Sequence, residues 1–166
     1  LALLACMAMT VPATVTAQDE IETSIGADLV SAYEWRGQDL GGVSIQPSLS
    51  IAYKGLSLTA WGSVGIDKED AKEIDLTLAY ETGGFSISVT DYWVAVAGED
   101  TKYFKYDAHK TAHVFEAQIG YDFGFMALNW YTNFAGADGV NEDGDRAYSS
   151  YVTMTAPFNL GGLEWE

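Results

Sequence analysis

The sequence predicts an all-β fold, a transmembrane antiparallel up-and-down β-barrel, on three observations. Apolar and polar residues alternate with period two along most of the chain beyond its N-terminal segment, as in strands with one apolar face. Two of the predicted strands, 43–53 and 56–66, span 11 residues each, a length that suits a tilted membrane-spanning strand. Tight turns alternate with wide charged loops, which is typical of outer-membrane barrels.

The composition excludes several other classes of protein. The chain has 166 residues, with 24 acidic side chains against 8 Lys and Arg and a net charge of −16. No basic stripe is present, so we expect no nucleic-acid partner. An apolar content of 48% with 19% charged residues excludes a disordered chain. Past residue 17 no apolar run approaches the ~20 residues of a spanning helix, which excludes a polytopic helical membrane protein.

Residues 1–17 are predicted to be a secretory signal peptide. They carry no charge, and Val15 and Ala17 occupy the small-residue positions of a cleavage site. Cys6 lies inside this segment, so the mature domain, 18–166, would hold no thiol. A lipoprotein cleavage box ending at Cys6 is the competing interpretation.

Eight strands follow from the alternation, and a ninth begins at 163–165. A two-residue turn at Lys54-Gly55 would pair Tyr53 with Leu56 and keep both apolar rows on one face. Asp91 interrupts the alternation, and a bulge is predicted there. The eight predicted strands are 25–36, 43–53, 56–66, 74–81, 85–90, 115–123, 126–134 and 148–156.

Strand number and loop length predict how the barrel is built. Bacterial barrels have even strand numbers, so we expect 10–12 strands in an intact protein of which this chain is a C-terminally incomplete part. The tight turns would face the periplasm and the wide loops the cell exterior. The tight turns are 54–55, 81–84 and 124–125; the wide loops are 67–73, 97–111 and 135–146, with a smaller one at 37–42.

A soluble barrel of the lipocalin type is the structural alternative, because it alternates in the same way but hides its apolar face inside. Its water-facing rows should be rich in Lys and Glu. The polar rows of this chain are mostly Ser, Thr, Gln, Asn and Gly, and the lysines concentrate in loops and turns. Aromatic residues gather near strand ends, as in the girdles of membrane barrels. These features favour the membrane barrel.

The segment Ser31-Ala32-Tyr33-Glu34-Trp35-Arg36-Gly37 resembles the S-x-Y-x-aromatic-R-G segment of the TorF-type porin family of bacterial outer-membrane proteins. Pro47, Trp61-Gly62-Ser63 and Glu73-Ile74-Asp75-Leu76 fall where that family's pattern places them, so the resemblance covers about residues 24–95. The chain departs from the pattern after the fifth strand, where Tyr92-Trp93-Val94 and an acidic loop replace a Tyr/Pro-rich segment. The resemblance implies an exported barrel in the cell outer membrane and a channel.

Carboxylates dominate the ionisable residues of the polar rows, which would line the lumen. Such a lumen favours cations over anions. The alternative is that these groups lie at the rim or are paired, Glu34 with Arg36 being the nearest candidates; Lys54 and Glu81 lie near the turns. The predicted pore-lining residues are Asp28, Glu34, Arg36, Asp75, Glu116 and Asp122.

Three other segments were weighed for chemistry. The acidic run Asp138–Asp145 has oxygen ligands at alternating positions but lacks the fixed Gly and the Glu of a calcium loop. His109 and His113 could serve a lipid-modifying enzyme, although no Ser elbow accompanies them. The segment Lys102–Tyr106 could contact a polysaccharide or a partner, or fold into the pore.

The sequence therefore predicts a porin that lets small solutes or ions diffuse, with a mild preference for cations. It predicts no enzyme, no metal site and no cofactor, and its partners are outer-membrane lipid and the diffusing solutes. The alternatives are a non-conducting barrel whose acidic loops bind a partner or a surface polysaccharide, and an enzyme at the barrel rim.

Overall fold

The computed structural model describes residues 20–67, 70–96, 98, 101–107, 110–160 and 163–165. The predicted signal peptide, 1–17, and His109 lie outside the described residues. In the part that is described, no helix is long and apolar enough to cross a membrane.

All regular elements of the described chain are β-strands, which confirms the all-β prediction. Eight of them form one antiparallel sheet in the order β1-β4-β5-β6-β7-β8-β9-β10, so strands adjacent in sequence are adjacent in space except where a small hairpin is inserted. The strands are β1 Glu22–Val30, β2 Tyr33–Trp35, β3 Gln38–Gly41, β4 Ser44–Tyr53, β5 Leu56–Gly65, β6 Lys72–Thr82, β7 Phe85–Ala95, β8 His113–Asp122, β9 Ala127–Gly136, β10 Ser150–Thr155, β11 Phe158–Leu160 and β12 Leu163–Trp165.

The sheet is open: β1 and β10 are its edges within the described residues, and it is not closed into a barrel. The predicted ninth strand exists as β12, but it does not extend the sheet. It pairs with β11, with Leu160 opposite Leu163, in a separate two-stranded hairpin. The pairing is local because β11 precedes β12 by only a short connection.

The predicted strand 25–36 is wrong in its second half. β1 ends at Val30, and β2 pairs with β3 in a hairpin of its own, with Trp35 opposite Gln38. Arg36 and Gly37 have φ of 49° and 76°, the backbone of a two-residue turn with both central residues left-handed. This turn reverses the chain and places β3 within the predicted loop 37–42.

The turn between β4 and β5 forms as predicted. Lys54 and Gly55 have φ of 49° and 83°, and Tyr53 lies opposite Leu56. Positive φ at both positions matches the right-handed twist of the flanking strands. The prediction of a turn at this position, and of both apolar rows on one face, is confirmed.

The bulge predicted at Asp91 is wrong. Asp91 lies in register opposite Leu76 on one side and Phe115 on the other, so it belongs to the apolar row of β7. The register shifts instead between Phe115 and Glu116 on β8 where they meet β9. Asp91 places a polar side chain in the apolar row, while its backbone stays in register. Its carboxylate is accommodated there because His113, on the same face, is its hydrogen-bond partner.

The two faces of the sheet differ in what they present. Directly paired residues share a face, and the apolar row runs from Leu58 to Leu78 and Val89, which are 50%, 53% and 41% exposed. No hydrophobic side chain is buried among the residues the structure describes. On the other face, hydroxyls pair across strands, as Thr77 Oγ1 does with Thr90 Oγ1 at 2.9 Å. The apolar rows of the sheet are thus exposed, while side-chain hydrogen bonds link its polar rows across strands.

The close contact between the β4–β5 turn and β6 can be tested directly. A Cβ at Gly55 would collide with the carbonyl oxygen of Glu81, whose amide donates to the Gly55 carbonyl at 2.9 Å. We expect Gly55→Ala to lower the free energy of unfolding by more than the ~1–2 kcal/mol of a left-handed alanine. Gly124→Ala is the matched control, with φ of 84° and nothing within 4 Å of the added carbon. Equal losses in denaturant unfolding would contradict the collision.

Candidate functional site

The β2–β3 hairpin lies across the polar face of the sheet. The ring of Tyr33 contacts that of Trp61 on β5 at 5.6 Å, and the ring of Trp35 meets that of Tyr92 on β7 edge-on at 5.9 Å. Trp61 and Tyr92 both pair with Asp75, which places all three on the polar rows. The hairpin therefore covers the face opposite the exposed apolar rows.

At the tip of this hairpin, Arg36 forms a two-pronged ion pair with Glu116 of β8. Nη1 donates to Oε2 at 2.6 Å and Nη2 donates to Oε1 at 2.9 Å. The hydroxyl of Tyr92 donates to the same Oε1 at 3.1 Å. The Arg36 and Glu116 side chains are 16% and 4% exposed. Such a pair is geometrically specific, since the planar guanidinium matches the carboxylate fork.

Aromatic rings complete the environment of the guanidinium. Its central carbon lies 4.1 Å from the ring centre of Trp35 and 4.6 Å from those of Tyr131 and Tyr151. Cation–π contacts of this kind stabilise a desolvated cation. We name these side chains, with Glu116 and Tyr92, the Arg36 cluster. It fastens the hairpin tip to β7, β8, β9 and β10.

A second group of carboxylates lies beside the base of the hairpin. Glu73 and Asp75 are neighbours on the polar row of β6, and both act electrostatically on the hydroxyl of Tyr33. The Oδ1 atom of Asp75 is buried without a hydrogen-bond partner within the described part of the chain. A buried carboxylate oxygen of this kind attracts a proton, a water or a cation.

The structure brings together three of the six predicted lining residues. Arg36 and Glu116 are bonded, and Asp75 lies opposite Tyr92 of the same cluster. Asp28 is on the polar face, opposite Gln46, and is exposed.

The other two predicted lining residues have different roles. Glu34 is exposed on the hairpin, and the alternative in which it pairs with Arg36 does not hold, because the guanidinium of Arg36 is bonded to Glu116 of β8. Asp122 accepts the Gly124 amide at 2.7 Å and so caps the β8–β9 turn.

Four residues of the site lie outside the predicted lining set: Tyr92, Glu73, Tyr131 and Tyr151. Tyr92 shares the parity of Ser88 and Thr90, but the expected bulge at Asp91 concealed it. Glu73 shares the parity of Asp75 and was assigned to a loop. Tyr131 and Tyr151 fall on the polar rows by alternation, yet nothing in their spacing shows that they surround an arginine. Alternation continued without interruption along β6 and β7 places Glu73 and Tyr92 on the polar rows.

The acidic segment 138–145 forms a hydrogen-bonded loop. Asn141 Oδ1 accepts the amides of Asp143 and Asp145 at 3.0 and 2.9 Å. Burial raises the pKa of Asp138, but hydrogen bonds from Ser149, Asn133 and the Gly139 amide outweigh it and lower the pKa below its usual value. In the described ranges no group of three or more His, Cys, Asp or Glu side chains is placed to hold a metal ion. The acidic oxygens here organise the loop.

The segment 102–106 does not fold onto the polar face. Tyr103 and Tyr106 pack against His113, which starts β8 on the apolar row beside Trp93. His113 is fully buried, with Asp91 and the Tyr103 carbonyl as its hydrogen-bond partners. Within the part that is described, this loop therefore lies on the apolar side of the sheet and not on its polar face.

Comparison of the chain with protein-family models, with curated proteins and with solved structures gives no match. The two faces of the sheet and the Arg36 cluster are therefore the features that bear on function.

Proposed function

We propose that this sheet is part of the wall of an outer-membrane β-barrel that works as a porin for small solutes or ions. Its apolar rows contact lipid and its polar rows line the aqueous pathway, with a mild preference for cations. The observation that carries this proposal is the difference between the two faces of the sheet. One face exposes apolar rows, and the other is covered by the β2–β3 hairpin and holds a network of polar side chains.

A soluble barrel would require the reverse arrangement. In a lipocalin-like fold the apolar rows face inward and are covered. Here Leu49, Leu58 and Leu78 are each half exposed or more, whereas Glu116 and Thr90 of the polar rows are buried. A contiguous apolar surface over neighbouring long strands marks contact with lipid or with another protein. The strand lengths of 10 and 11 residues in β4 to β9 suit a bilayer.

The charges on the polar face support cation preference. The charge of Arg36 is balanced by Glu116 within the cluster. Asp28 adds an exposed carboxylate to the same face, and Glu73 and Asp75 add two half-buried carboxyl groups. A pathway lined by negative charge lowers the barrier for cations and raises it for anions.

A non-conducting barrel is the second candidate, and the hairpin itself favours it. The β2–β3 hairpin reaches from β5 to β10 across the polar face. An element in this position acts as a constriction if space remains beside it, or as a plug if it does not. In the second case the wide acidic loops would carry the function by binding a partner or a surface polysaccharide.

Single-channel recording separates the two candidates. The full-length protein is inserted into a planar bilayer under a KCl gradient. We expect discrete current steps with a reversal potential on the cation-selective side. Anion selectivity would refute the acidic pathway. A folded, heat-modifiable protein that inserts without current steps would refute the porin and support the plugged barrel.

A further inference from the structure

The segment 101–107, here named the strap, packs against a buried histidine on the apolar side of the sheet. His113 begins β8 and is fully buried. The ring of Tyr106 stacks on its ring at 4.3 Å, and the ring of Tyr103 meets it edge-on at 5.3 Å. The ring of Tyr103 also lies 5.5 Å from that of Trp93 on β7. The imidazole is therefore enclosed between the strap and the sheet.

Both nitrogens of this imidazole face a hydrogen-bond acceptor. Nδ1 lies 2.7 Å from Oδ1 of Asp91 on β7, and Nε2 is bonded to the carbonyl oxygen of Tyr103 in the strap. A carbonyl oxygen only accepts hydrogen bonds, and so does an ionised carboxylate. The two contacts therefore need two protons, whether both are on the imidazole or one is on the carboxyl group. With one proton, one contact would join two acceptors with no hydrogen between them.

The contact to the strap is the one that fails when the pair loses a proton. A hydrogen bond to a carboxylate is about twice as strong as one to a neutral carbonyl, so the remaining proton stays on Nδ1, toward Asp91. The lone pair of Nε2 then faces the carbonyl oxygen of Tyr103, and both groups are left unsatisfied in a buried place. The other bond that holds the strap, from Thr111 Oγ1 to the Lys105 carbonyl, contains no titratable group.

The other groups around the imidazole do not titrate in its place. Tyr103 and Tyr106 face it from the strap, and burial raises the pKa of the Tyr103 hydroxyl above its usual value. On β8, the ring of Phe115 lies parallel to the imidazole at 6.1 Å. The charged groups of the strap and its surroundings are the exposed Lys102, Lys105 and Asp107, the preceding Glu99 and Asp100, and Arg146, which is bonded to the Gly136 carbonyl near the His113 backbone.

We propose that the strap is a proton-operated latch, closed on the sheet while His113 and Asp91 together hold two protons and open when the pair has lost one. The closed state is favoured at low pH and is lost as the pH rises. Opening withdraws Tyr103 from Trp93 and uncovers the loop ends of β7 and β8. The latch thus changes the surface that this wide loop presents, and it does so whether or not the sheet conducts ions.

The test places a fluorophore on the strap, within range of a tryptophan on the sheet. Phe104→Cys is introduced into the full-length protein with Cys6→Ser and labelled with bimane, whose fluorescence is quenched by a nearby tryptophan; Phe104 is 87% exposed and contacts Tyr103. Fluorescence is recorded in detergent micelles over about pH 5 to 8, where histidines ordinarily change charge. We expect the closed-to-open ratio to fall about tenfold or more as the pH rises, the effect of one buried group left unpaired. Trp93→Phe should abolish the change.

Two substitutions at the pair should give opposite results. In Asp91→Asn, the side-chain amide donates to Nδ1 of a neutral imidazole, whose Nε2–H donates to the Tyr103 carbonyl, so the strap should stay closed over the whole range. In His113→Phe neither acceptor has a donor, so the strap should be open throughout. His109→Gln, which replaces the other of the two histidines, should keep the native transition. The latch is overturned if native fluorescence does not rise with pH, or if Asp91→Asn is open or still responds to pH.

Discussion

In the proposed porin, Arg36→Met is expected to increase cation selectivity and to raise conductance. The substitution removes the cation that balances Glu116, so the polar face gains one uncompensated carboxylate. It also removes the bonds that hold the hairpin tip against β8, β9 and β10. Since the hairpin lies across the polar face, its release widens the space beside the wall. Reversal potential and single-channel current under a KCl gradient measure both effects.

The same substitution should be strongly destabilising. The Glu116 side chain is 4% exposed, and removal of one partner from a buried ion pair costs about 3–5 kcal/mol because the other charge loses its compensation. The hydrogen bond from Tyr92 remains and compensates only part of this loss. Denaturant unfolding in detergent micelles gives the free energy, and the midpoint should fall without a change in slope.

The double variant Arg36→Met/Glu116→Gln is the matched control. It removes both charges together, so it should recover most of the lost stability and return the selectivity toward that of the native protein. Glu34→Gln offers a second comparison, because Glu34 is exposed on the same hairpin. It should weaken cation preference slightly and leave unfolding unchanged. If Arg36→Met alters neither stability nor current, the cluster does not hold the hairpin in the pathway.

The faces of the sheet could be predicted because they follow from local alternation. A residue and its second neighbour share a face whatever the partner strands are, so the parity of Glu116, Asp75 and Asp28 was readable directly. The Lys54-Gly55 turn was equally local, because a two-residue turn fixes the register of its own hairpin. These features require no knowledge of how distant segments meet.

The Arg36 cluster could not be predicted, because it joins residues that are distant in the chain. Arg36 and Glu116 are 80 positions apart. Their contact depends on the break after Val30 and on the turn at Arg36-Gly37, which direct the hairpin across the face instead of along it. Tyr33 and Trp35 continue the apolar–polar alternation of β1. The alternation alone therefore extends the first strand past its end at Val30.

Leu78→Arg is expected to be among the most damaging substitutions on the sheet. Leu78 lies near the middle of β6, between Leu58 and Val89 on the apolar rows, and is 53% exposed. If these rows face the bilayer core, an arginine there destabilises the inserted state by about 2–4 kcal/mol. Its effect should appear as weaker insertion into vesicles and a lower unfolding midpoint of the inserted protein.

Ala79→Arg is the control, because Ala79 is the next residue of the same strand and lies on the polar rows, opposite Ser57 and Ser88. If the polar rows line an aqueous pathway, an arginine at 79 enters it, so insertion should be retained while cation preference falls. A soluble barrel with its apolar rows inside predicts the same order, but in that case Leu78→Arg would prevent folding in water as well as in lipid. Equal tolerance of both substitutions in vesicles would show that the apolar rows do not contact the bilayer core, and the wall assignment would then be wrong.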